Sequence, residues 1–298
     1  MNVPPERPGP PPPRPNPLAP RHRLRVEDYR DLRALIGDHC GLAFPDDAAY
    51  LFEKRLATRL EARGLDGFQA YCRFLREDPD RAPEMEAVVE ALTTHETYFF
   101  REPHQLRAFA DPILPALAAA NARQRRVRIW SAGCSTGEEV YTIAVLLAMS
   151  GLFADWDVDV VGSDIVRRVI AVARAGVYGD HAFRTPEAEA LRPWVSEEGG
   201  KWHVREEVRR MVSFAHHNLL DPRGASVIGF VDVVFCRNVL IYLDLPARRR
   251  VLRTFFTKLR PGGFLLLGHS ESLAHLTDEF EPVQLRDQLV YRKPRPPA

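Results

Sequence analysis

A short loop in the middle of the chain combines small residues with two adjacent carboxylates. Residues 127–130 have the pattern of a buried strand, residues 131–137 are small and turn-forming, and helical spacing of apolar residues begins at Glu138. Glu138 and Glu139 therefore stand at the start of a predicted helix. A strand, a tight loop and a helix in this order form the opening unit of a nucleotide-binding α/β sheet.

These two carboxylates restrict which nucleotide the loop could bind. The loop lacks the G-x-G-x-x-G pattern, and a helix N-terminus that binds pyrophosphate should not carry two negative charges. A nucleoside that carries positive charge fits better, and S-adenosylmethionine has an adenosine, a sulfonium, an ammonium and no phosphate. The alternative for this stretch alone is a well-capped helix with an acidic first turn.

Two further predicted strands end in polar residues that could complete such a site. The apolar run 158–162 leads to Asp164, and the run 231–236 leads to Asn238. In open α/β sheets ligands bind at the carboxyl ends of the strands, where an acid can grip both ribose hydroxyls. Asp164 lies at about the interval after the loop that this role requires. The alternative is that Asp164 caps the following helix.

The chain before the loop has a different character. Residues 1–20 are dominated by proline and predict a disordered tail, whereas residues 21–109 show helical spacing throughout and predict a small all-helical domain. Within it Arg55, Arg59 and Arg63 recur at four-residue spacing, which lines one face of a helix. Such a row is either solvated surface or a ridge that docks on an acidic, helical protein partner.

The remaining chain, residues 110–298, alternates strand and helix patterns and predicts one α/β domain. The alternation is interrupted at about 180–212, where a turn at 197–200 indicates a small antiparallel insertion. The segments 280–285 and 289–292 are expected to pair as a closing hairpin. The predicted fold class is therefore α/β: a Rossmann-like methyltransferase domain with a small antiparallel β-subdomain, preceded by an all-α domain.

Composition argues against several other classes of protein. The chain has 298 residues and a formal net charge of +1, so bulk charge does not indicate a nucleic-acid partner. No apolar run approaches the roughly 18 residues of a membrane span, and the N-terminus lacks the apolar core of a signal peptide. The four cysteines are scattered, and cysteines and histidines show no metal-ligand spacing. We expect a cytoplasmic monomer with free thiols and no metal site.

Taken together, these motifs resemble those of the chemotaxis receptor methyltransferases, the CheR family. The resemblance covers almost everything from Arg25 to Tyr291 and rests on separate signatures in a fixed order. They are TYFFR at 97–101, WSAGCSTGEE at 130–139, SDI at 163–165, NLL at 218–220, FCRNVLIY at 235–242 and GHSE at 268–271.

The resemblance implies transfer of a methyl group from S-adenosylmethionine to the γ-carboxylate of glutamates, with S-adenosylhomocysteine as the second product. The implied partner is the cytoplasmic helical domain of methyl-accepting chemotaxis receptors, which the N-terminal domain would contact. The implied cofactor contacts are Thr97, Arg101, Glu139, Asp164, Asn218, Leu219, Asn238 and Val239. His95 stands where the family usually has asparagine, and we retain it as a contact because histidine can still hydrogen-bond.

Methyl transfer to a carboxylate requires no general base, because glutamate, with an unperturbed pKa of about 4.3, is ionised at neutral pH. Positioning remains, and a near-attack geometry can contribute on the order of 7–11 kcal/mol. Glu139 is expected to accept from the cofactor ammonium and Asp164 from the ribose. The candidate catalytic residues are Arg101, whose planar fork suits a carboxylate of the cofactor or the substrate, and Tyr242. Tyr242 either orients the incoming glutamate or is an ordinary core tyrosine.

Two alternative functions stay open. One is a methyltransferase that acts on nucleic acid, a small molecule or another protein; the other is a non-catalytic module that senses S-adenosylmethionine. No Asn/Asp-Pro-Pro-Tyr motif follows the run 231–236, and the balanced charge argues against nucleic acid. The retained acidic and asparagine residues argue against the sensing module.

Overall fold

The computed structural model describes residues 23–296, so the predicted proline-rich tail at 1–20 lies outside the described residues. The first elements are helical: α1 (Val26–Cys40), α2 (Ala49–Arg63), α3 (Phe68–Glu77), α4 (Arg81–Leu92), α5 (Pro103–Ala108) and α6 (Leu114–Ala120). Strands and helices then alternate: β1 (Arg126–Ala132), α7 (Glu138–Ser150), β2 (Asp157–Asp164), α8 (Arg167–Ala175), β3 (Val177–Tyr178), β4 (Val195–Glu198), β5 (Lys201–Val204), α9 (Glu206–Arg209), β6 (Val212–His216), β7 (Val231–Cys236), α10 (Leu245–Lys258), β8 (Leu259–Leu267), β9 (Glu281–Leu285) and β10 (Gln288–Arg292).

Helices α1–α4 surround a hydrophobic core of their own. Residues at helical spacing point inward from each helix, among them Leu32, Leu56, Tyr71 and Val88, all fully buried. Burial of one such side chain contributes about 1.5–3 kcal/mol, which offsets the low intrinsic stability of short helices. The prediction of an all-helical N-terminal domain is confirmed.

The main sheet has the strand order β6-β2-β1-β7-β8-β10-β9. Strands β6, β2, β1, β7 and β8 run parallel, whereas β10 is antiparallel to both of its neighbours and closes the sheet as a hairpin with β9. Strand β1 lies between β2 and β7, so the carboxyl ends of these three strands meet at one edge. That edge is where open α/β sheets bind ligands.

The sheet separates two further cores because successive side chains of a strand point to opposite faces. Ile129 and Phe235 pack with α5, α6 and α7 on one face, while Trp130 and Cys236 pack with α10 on the other. Helices on both faces of a largely parallel sheet make the Rossmann-like domain that the alternating pattern predicts.

The segment between the helical domain and the sheet packs with the sheet. Phe99 and Phe109 are fully buried in the core that contains Ile129, whereas the core of α1–α4 extends only to Leu92. The helical pattern predicts a boundary at residue 109, which does not coincide with this division between cores. The buried residues change from one core to the other between Leu92 and Phe99, and the domain boundary at residue 109 stays a prediction.

A second, smaller sheet has the antiparallel order β3-β5-β4. Strands β4 and β5 are joined at Gly199 and Gly200, whose φ angles of 59° and 71° favour glycine. The predicted antiparallel insertion is confirmed, and its first strand begins at Val177, slightly before the predicted start at 180.

The two domains are joined by backbone contacts between the end of α1 and the loop before α10. The Asp244 nitrogen donates to the Gly41 carbonyl at 2.9 Å, and the Ala43 nitrogen donates to the Tyr242 carbonyl at 2.8 Å. Gly41 has a φ of 75°, and a Cβ at this position would collide with Ala247 of α10. Glycine therefore both ends α1 and allows the domains to approach.

Within the described residues, no helix has the length and apolar content needed to cross a bilayer. No group of three or more His, Cys, Asp or Glu side chains in the same part of the chain is placed to hold a metal ion.

Candidate active site

A cavity lies at the carboxyl edge of β1, β2 and β7, beneath the helical domain. All the predicted cofactor contacts and both candidate catalytic residues line it: His95, Thr97, Arg101, Glu139, Asp164, Asn218, Leu219, Asn238, Val239 and Tyr242. Cys40, Leu42 and Thr93 of the helical domain complete the wall. Leu42, Leu219 and Val239 make part of this wall apolar, which suits the face of an aromatic base.

The loop after β1 is shaped by a close approach to the loop after β7. Gly133 has a φ of 80°, and a Cβ there would lie 2.5 Å from the Val239 side chain, so any other residue would strain the backbone and displace Val239. The nitrogens of Gly133 and Cys134 donate to the Ser163 carbonyl at 2.8 and 2.9 Å. The loop therefore curls over the end of β2 and brings Glu139 and Asp164 to the same cavity.

Asp164, at the end of β2, is only 9% exposed. Its Oδ2 accepts from the Ser135 nitrogen at 2.9 Å and its Oδ1 from the Val166 nitrogen at 3.0 Å. Val166 is the N-cap residue of α8, so Asp164 bonds the start of that helix, as the helix-cap alternative expects, and also lines the cavity. Burial raises the pKa of Asp164, while the backbone donors oppose that rise. A carboxylate can accept about four hydrogen bonds, so acceptor sites remain for a ligand.

Glu138 and Glu139 have opposite surroundings although they are adjacent. Glu139 reaches the cavity, where its Oε1 accepts from Ser131 Oγ at 2.7 Å and its Oε2 from Arg237 Nη1 at 2.9 Å. Glu138 is 2% exposed, accepts from Thr136 Oγ1 at 2.7 Å, and has a pKa raised by burial. Only Glu139 is placed to meet a bound ligand.

Asn238 follows β7 with a φ of 58°, a left-handed conformation that asparagine tolerates. Its Nδ2 donates to Glu102 Oε1 at 3.2 Å. Its Oδ1 is buried and has no hydrogen-bond partner among residues 23–296. A buried acceptor without a partner is rare and fits a ligand that brings a donor. S-Adenosylmethionine carries ammonium, amino and hydroxyl donors, so the residues of this cavity fit that cofactor.

The other predicted contacts differ in how far their polar groups are available. Arg101 Nη1 donates to the Glu96 carbonyl at 2.6 Å, which leaves most of its donors for a ligand. Asn218 Nδ2 instead donates to the His39 carbonyl at 2.7 Å, and its Oδ1 accepts from the Leu220 nitrogen at 3.0 Å. The Asn218 amide thus ties the domains together, and Asn218 also lines the cavity, so its role as a cofactor contact stays a prediction.

His95 and Tyr242 line the cavity in different surroundings. His95 contacts Thr93 Oγ1 through Nε2 at 3.0 Å, and burial lowers its pKa, so its imidazole is neutral at neutral pH. Tyr242 is 44% exposed at the mouth of the cavity, so the alternative of a core tyrosine does not hold.

Arg237 also belongs to this site, although the sequence motifs do not predict a role for it. Its side chain is 2% exposed and forms ion pairs with Glu139 at 2.9 Å and Glu102 at 3.3 Å. Its Nε donates to Gln105 Oε1 at 2.7 Å, and its Nη2 donates to the Arg101 carbonyl. The available signal is an arginine directly after an apolar strand, where a buried charge requires partners.

Two acids supporting Asn238 are also missed. Glu102, which has a φ of 55°, accepts from Arg237, Asn238 and His269. Burial alone would raise the Glu102 pKa, but Arg237 and the His269 hydrogen bond hold it below its usual range. Glu271 accepts from four backbone nitrogens, those of Asn238, Val239, Ile241 and Gly268. The GHSE signature contains Glu271, but its partners are not visible in the sequence.

The arginine row on α2 makes hydrogen bonds within the helical domain. Arg59 makes two hydrogen bonds to Glu84, at 3.0 and 2.6 Å, and Arg63 donates to the same fully buried carboxylate at 2.6 Å. Arg55 Nη1 donates to the Leu92 carbonyl at 3.1 Å, at the C-terminal end of α4. These guanidinium groups neutralise a buried acid and cap a helix, while the side chains of Arg59 and Arg63 stay 32% and 31% exposed. That the row also contacts a protein partner stays a prediction.

Comparison with known proteins places this site in a family. Residues 27–93 match the model of the CheR methyltransferase all-alpha domain, and residues 95–289 match that of the CheR methyltransferase SAM-binding domain. A chemotaxis protein methyltransferase of Salmonella typhimurium is 38% identical over 277 residues, covering 90% of this chain and 91% of that protein.

Two further relatives agree. A chemotaxis protein methyltransferase of Escherichia coli K12 is 36% identical over 275 residues, covering 90% of this chain and 92% of that protein. One of Vibrio parahaemolyticus is 34% identical over 273 residues, covering 89% of this chain and 96% of that protein. The chain described here therefore belongs to the CheR family of chemotaxis methyltransferases and carries the S-adenosylmethionine-binding domain of that family.

Proposed function

We propose that this protein methylates the γ-carboxylate of glutamate residues in the cytoplasmic helical domain of chemotaxis receptors. The products are a glutamyl methyl ester and S-adenosylhomocysteine. The observation that supports this most directly is the cavity where Glu139, Asp164 and Asn238 converge, in a chain of the chemotaxis methyltransferase family. S-Adenosylmethionine supplies a methyl group activated by its sulfonium.

In this proposal each polar residue of the cavity binds one part of the cofactor. Glu139 accepts hydrogen bonds from the ammonium, and Asp164 accepts from the ribose hydroxyls. The unpartnered Oδ1 of Asn238 accepts from a further donor. Arg101 binds a carboxylate through its planar fork, which forms two parallel hydrogen bonds.

Catalysis by this arrangement requires positioning and desolvation and no proton acceptor. The attacking carboxylate is already ionised, since the ordinary glutamate pKa is about 4.3. Two imidazoles, His95 and His217, line the cavity, and burial lowers the pKa of each. His95 is also engaged with Thr93. The site therefore holds the two reactants in line rather than exchanging a proton with them.

The substrate glutamate enters beside Tyr242 in this proposal. Tyr242 is 44% exposed, and its neighbours Ile241 and Leu245 are 42% and 50% exposed. The hydroxyl of Tyr242 can donate to an incoming carboxylate, while the apolar neighbours can contact the surface of a receptor helix. We propose that the enzyme acts in the cytoplasm as a monomer.

Radiolabel transfer tests the proposed substrate. Methyl-labelled S-adenosylmethionine is incubated with the protein and a receptor cytoplasmic domain, and the labelled receptor is treated with mild base. Release of the label as methanol is expected, because esters hydrolyse where methylated nitrogens do not. A receptor domain with its candidate glutamates changed to alanine is the matched control.

Three outcomes would contradict the proposal. Label that resists base indicates methylation of nitrogen. Label on the alanine receptor places the modified group elsewhere. Binding of S-adenosylhomocysteine without any transfer indicates a sensing module.

A further inference from the structure

A single buried guanidinium links the two cavity residues that are proposed to bind opposite charges. Arg237 Nη1 donates to Glu139, the proposed acceptor for the ammonium, at 2.9 Å. Its Nη2 donates to the backbone carbonyl of Arg101, whose side chain is the proposed carboxylate ligand. One rigid planar group therefore touches both residues proposed to bind the amino-acid half of the cofactor.

Four hydrogen-bond acceptors fix the orientation of the Arg237 side chain. Its Nε donates to Gln105 Oε1 at 2.7 Å, and its Nη2 also faces Glu102 Oε2 at 3.3 Å. Four acceptors on one side chain that is 2% exposed leave it a single orientation. The Glu139 carboxylate is in turn held on both oxygens, by Ser131 and by Arg237.

The charges around Arg237 also fix the direction of Glu139. Glu102 and Glu139 bring two carboxylates to the sides of one arginine, and each side chain is largely buried, at 17% and 16% exposed. Without Arg237 these two acids would repel each other and turn toward water. With Arg237 present, Glu139 keeps a fixed direction and still has acceptor sites for an ammonium.

We propose that Arg237 is a positioning residue that sets the placement of Glu139 relative to Arg101, and so selects ligands that carry an amino-acid group beside the adenosine. This inference rests on the proposed assignment of Glu139 and Arg101 to the cofactor. Arg237 contacts the ligand only through these residues. Lysine cannot replace it, because one ammonium cannot reach Gln105, Glu139 and the Arg101 carbonyl in the same plane.

The test compares two ligands that differ only in that group. S-Adenosylhomocysteine carries the amino acid, whereas 5′-methylthioadenosine keeps the adenosine and the thioether but lacks the ammonium and the carboxylate. We expect Arg237→Lys to weaken S-adenosylhomocysteine binding about tenfold or more, as loss of a charge-assisted hydrogen bond does. Affinity for 5′-methylthioadenosine should stay within about twofold, because its contacts do not pass through Arg237.

The control is Arg59→Lys, which changes another arginine paired with a buried acid, in the helical domain. It should leave both affinities unchanged. A second measurement uses Glu139→Gln: once Glu139 is changed, adding Arg237→Lys should cost little more, because both act on one contact. If Arg237→Lys fails to fold, Gln105→Met removes the acceptor of Nε and should shift the same ligand preference.

Equal losses for both ligands would overturn the inference, since they indicate a general structural role. Unchanged binding of S-adenosylhomocysteine would overturn it as well. Both measurements omit the receptor, so they succeed or fail independently of whether glutamate is the methyl acceptor.

Discussion

Glu271 and Asn238 are joined by a hydrogen bond of 2.8 Å from the Asn238 backbone nitrogen to the Glu271 carboxylate. The same carboxylate accepts from Val239 at 3.0 Å and from Ile241 at 3.2 Å. These donors belong to one short loop, in which Asn238 has a left-handed backbone. The loop that lines the cavity is therefore shaped by a side chain at the end of the next strand, β8.

Glu271→Gln should weaken cofactor binding without unfolding the protein. A glutamine amide keeps one acceptor oxygen but turns an N–H donor toward the backbone nitrogens. Some of the hydrogen bonds that the Glu271 carboxylate accepts are therefore lost. We expect S-adenosylhomocysteine to bind about tenfold more weakly by calorimetry, as removal of charge-assisted hydrogen bonds implies. Asp278→Asn, an exposed change in the same segment between β8 and β9 as Glu271, is the control. Wild-type affinity in Glu271→Gln would show that the loop keeps its shape without the hydrogen bonds to the Glu271 carboxylate.

Arg101→Ala and Asp164→Ala should each reduce methyl transfer at least about tenfold, since each removes a charged hydrogen-bonding group from the cavity. Far-ultraviolet circular dichroism should match that of the wild type, because neither side chain fills a hydrophobic core. Turnover and cofactor affinity are measured together for each variant. Wild-type values in both would remove these residues from the site.

The fold and much of the cavity lining can be predicted from local sequence. The reason is that parallel strands end at one edge of the sheet, so the residues that follow them lie close together. The strand, loop and helix around Gly133, the acid after β2 and the asparagine after β7 each lie at a predictable place. The same reasoning fails for Arg237, Glu102 and Glu271, whose partners come from distant segments. No periodicity within a segment reports such pairs, although a charge next to an apolar strand indicates that one must exist.

The arginine row of α2 shows the limit of periodicity in another way. Four-residue spacing correctly places Arg55, Arg59 and Arg63 along one helix. It cannot show that this face meets α4, where Glu84 is buried. The spacing alone therefore does not show which contacts these side chains make within the domain.

Glu84→Ala should strongly destabilise the protein. Glu84 is fully buried and accepts from Arg59, Arg63 and Tyr71, so its removal leaves the buried Tyr71 hydroxyl and two partly buried guanidinium groups without their acceptor. Breaking a buried ion pair from one side costs about 3–5 kcal/mol of unfolding free energy. Urea denaturation measures the loss. Glu86→Ala, which breaks the more exposed pair with Arg167, should cost about 0–1 kcal/mol. Equal costs would contradict the buried network.

Glu138→Gln should stabilise the protein at neutral and higher pH. Burial raises the pKa of Glu138, so the folded state binds its proton more tightly than the unfolded state. The free energy of unfolding therefore falls as pH rises from the ordinary glutamate pKa through the raised value. Glutamine removes that penalty and keeps an acceptor for Thr136.

Urea denaturation at pH 8 should thus favour Glu138→Gln, and the advantage should disappear on acidification below about pH 4.3, the ordinary glutamate pKa. Glu139→Gln, whose carboxylate is paired with Arg237, should instead lower stability at pH 8. A variant Glu138→Gln that is less stable than wild type at pH 8 would contradict the assigned cost of burial.

The backbone hydrogen bonds from Asp244 to Gly41 and from Ala43 to Tyr242 constrain how this family can recombine. Residues on both sides of the domain boundary enclose one cavity, so neither domain is an independent module for exchange between relatives. A chimaera that takes its helical domain from a relative must also take residues matching 41–43 and 242–244. Segments 41–43 and 242–244 are therefore expected to change together when sequences of the two domains diverge.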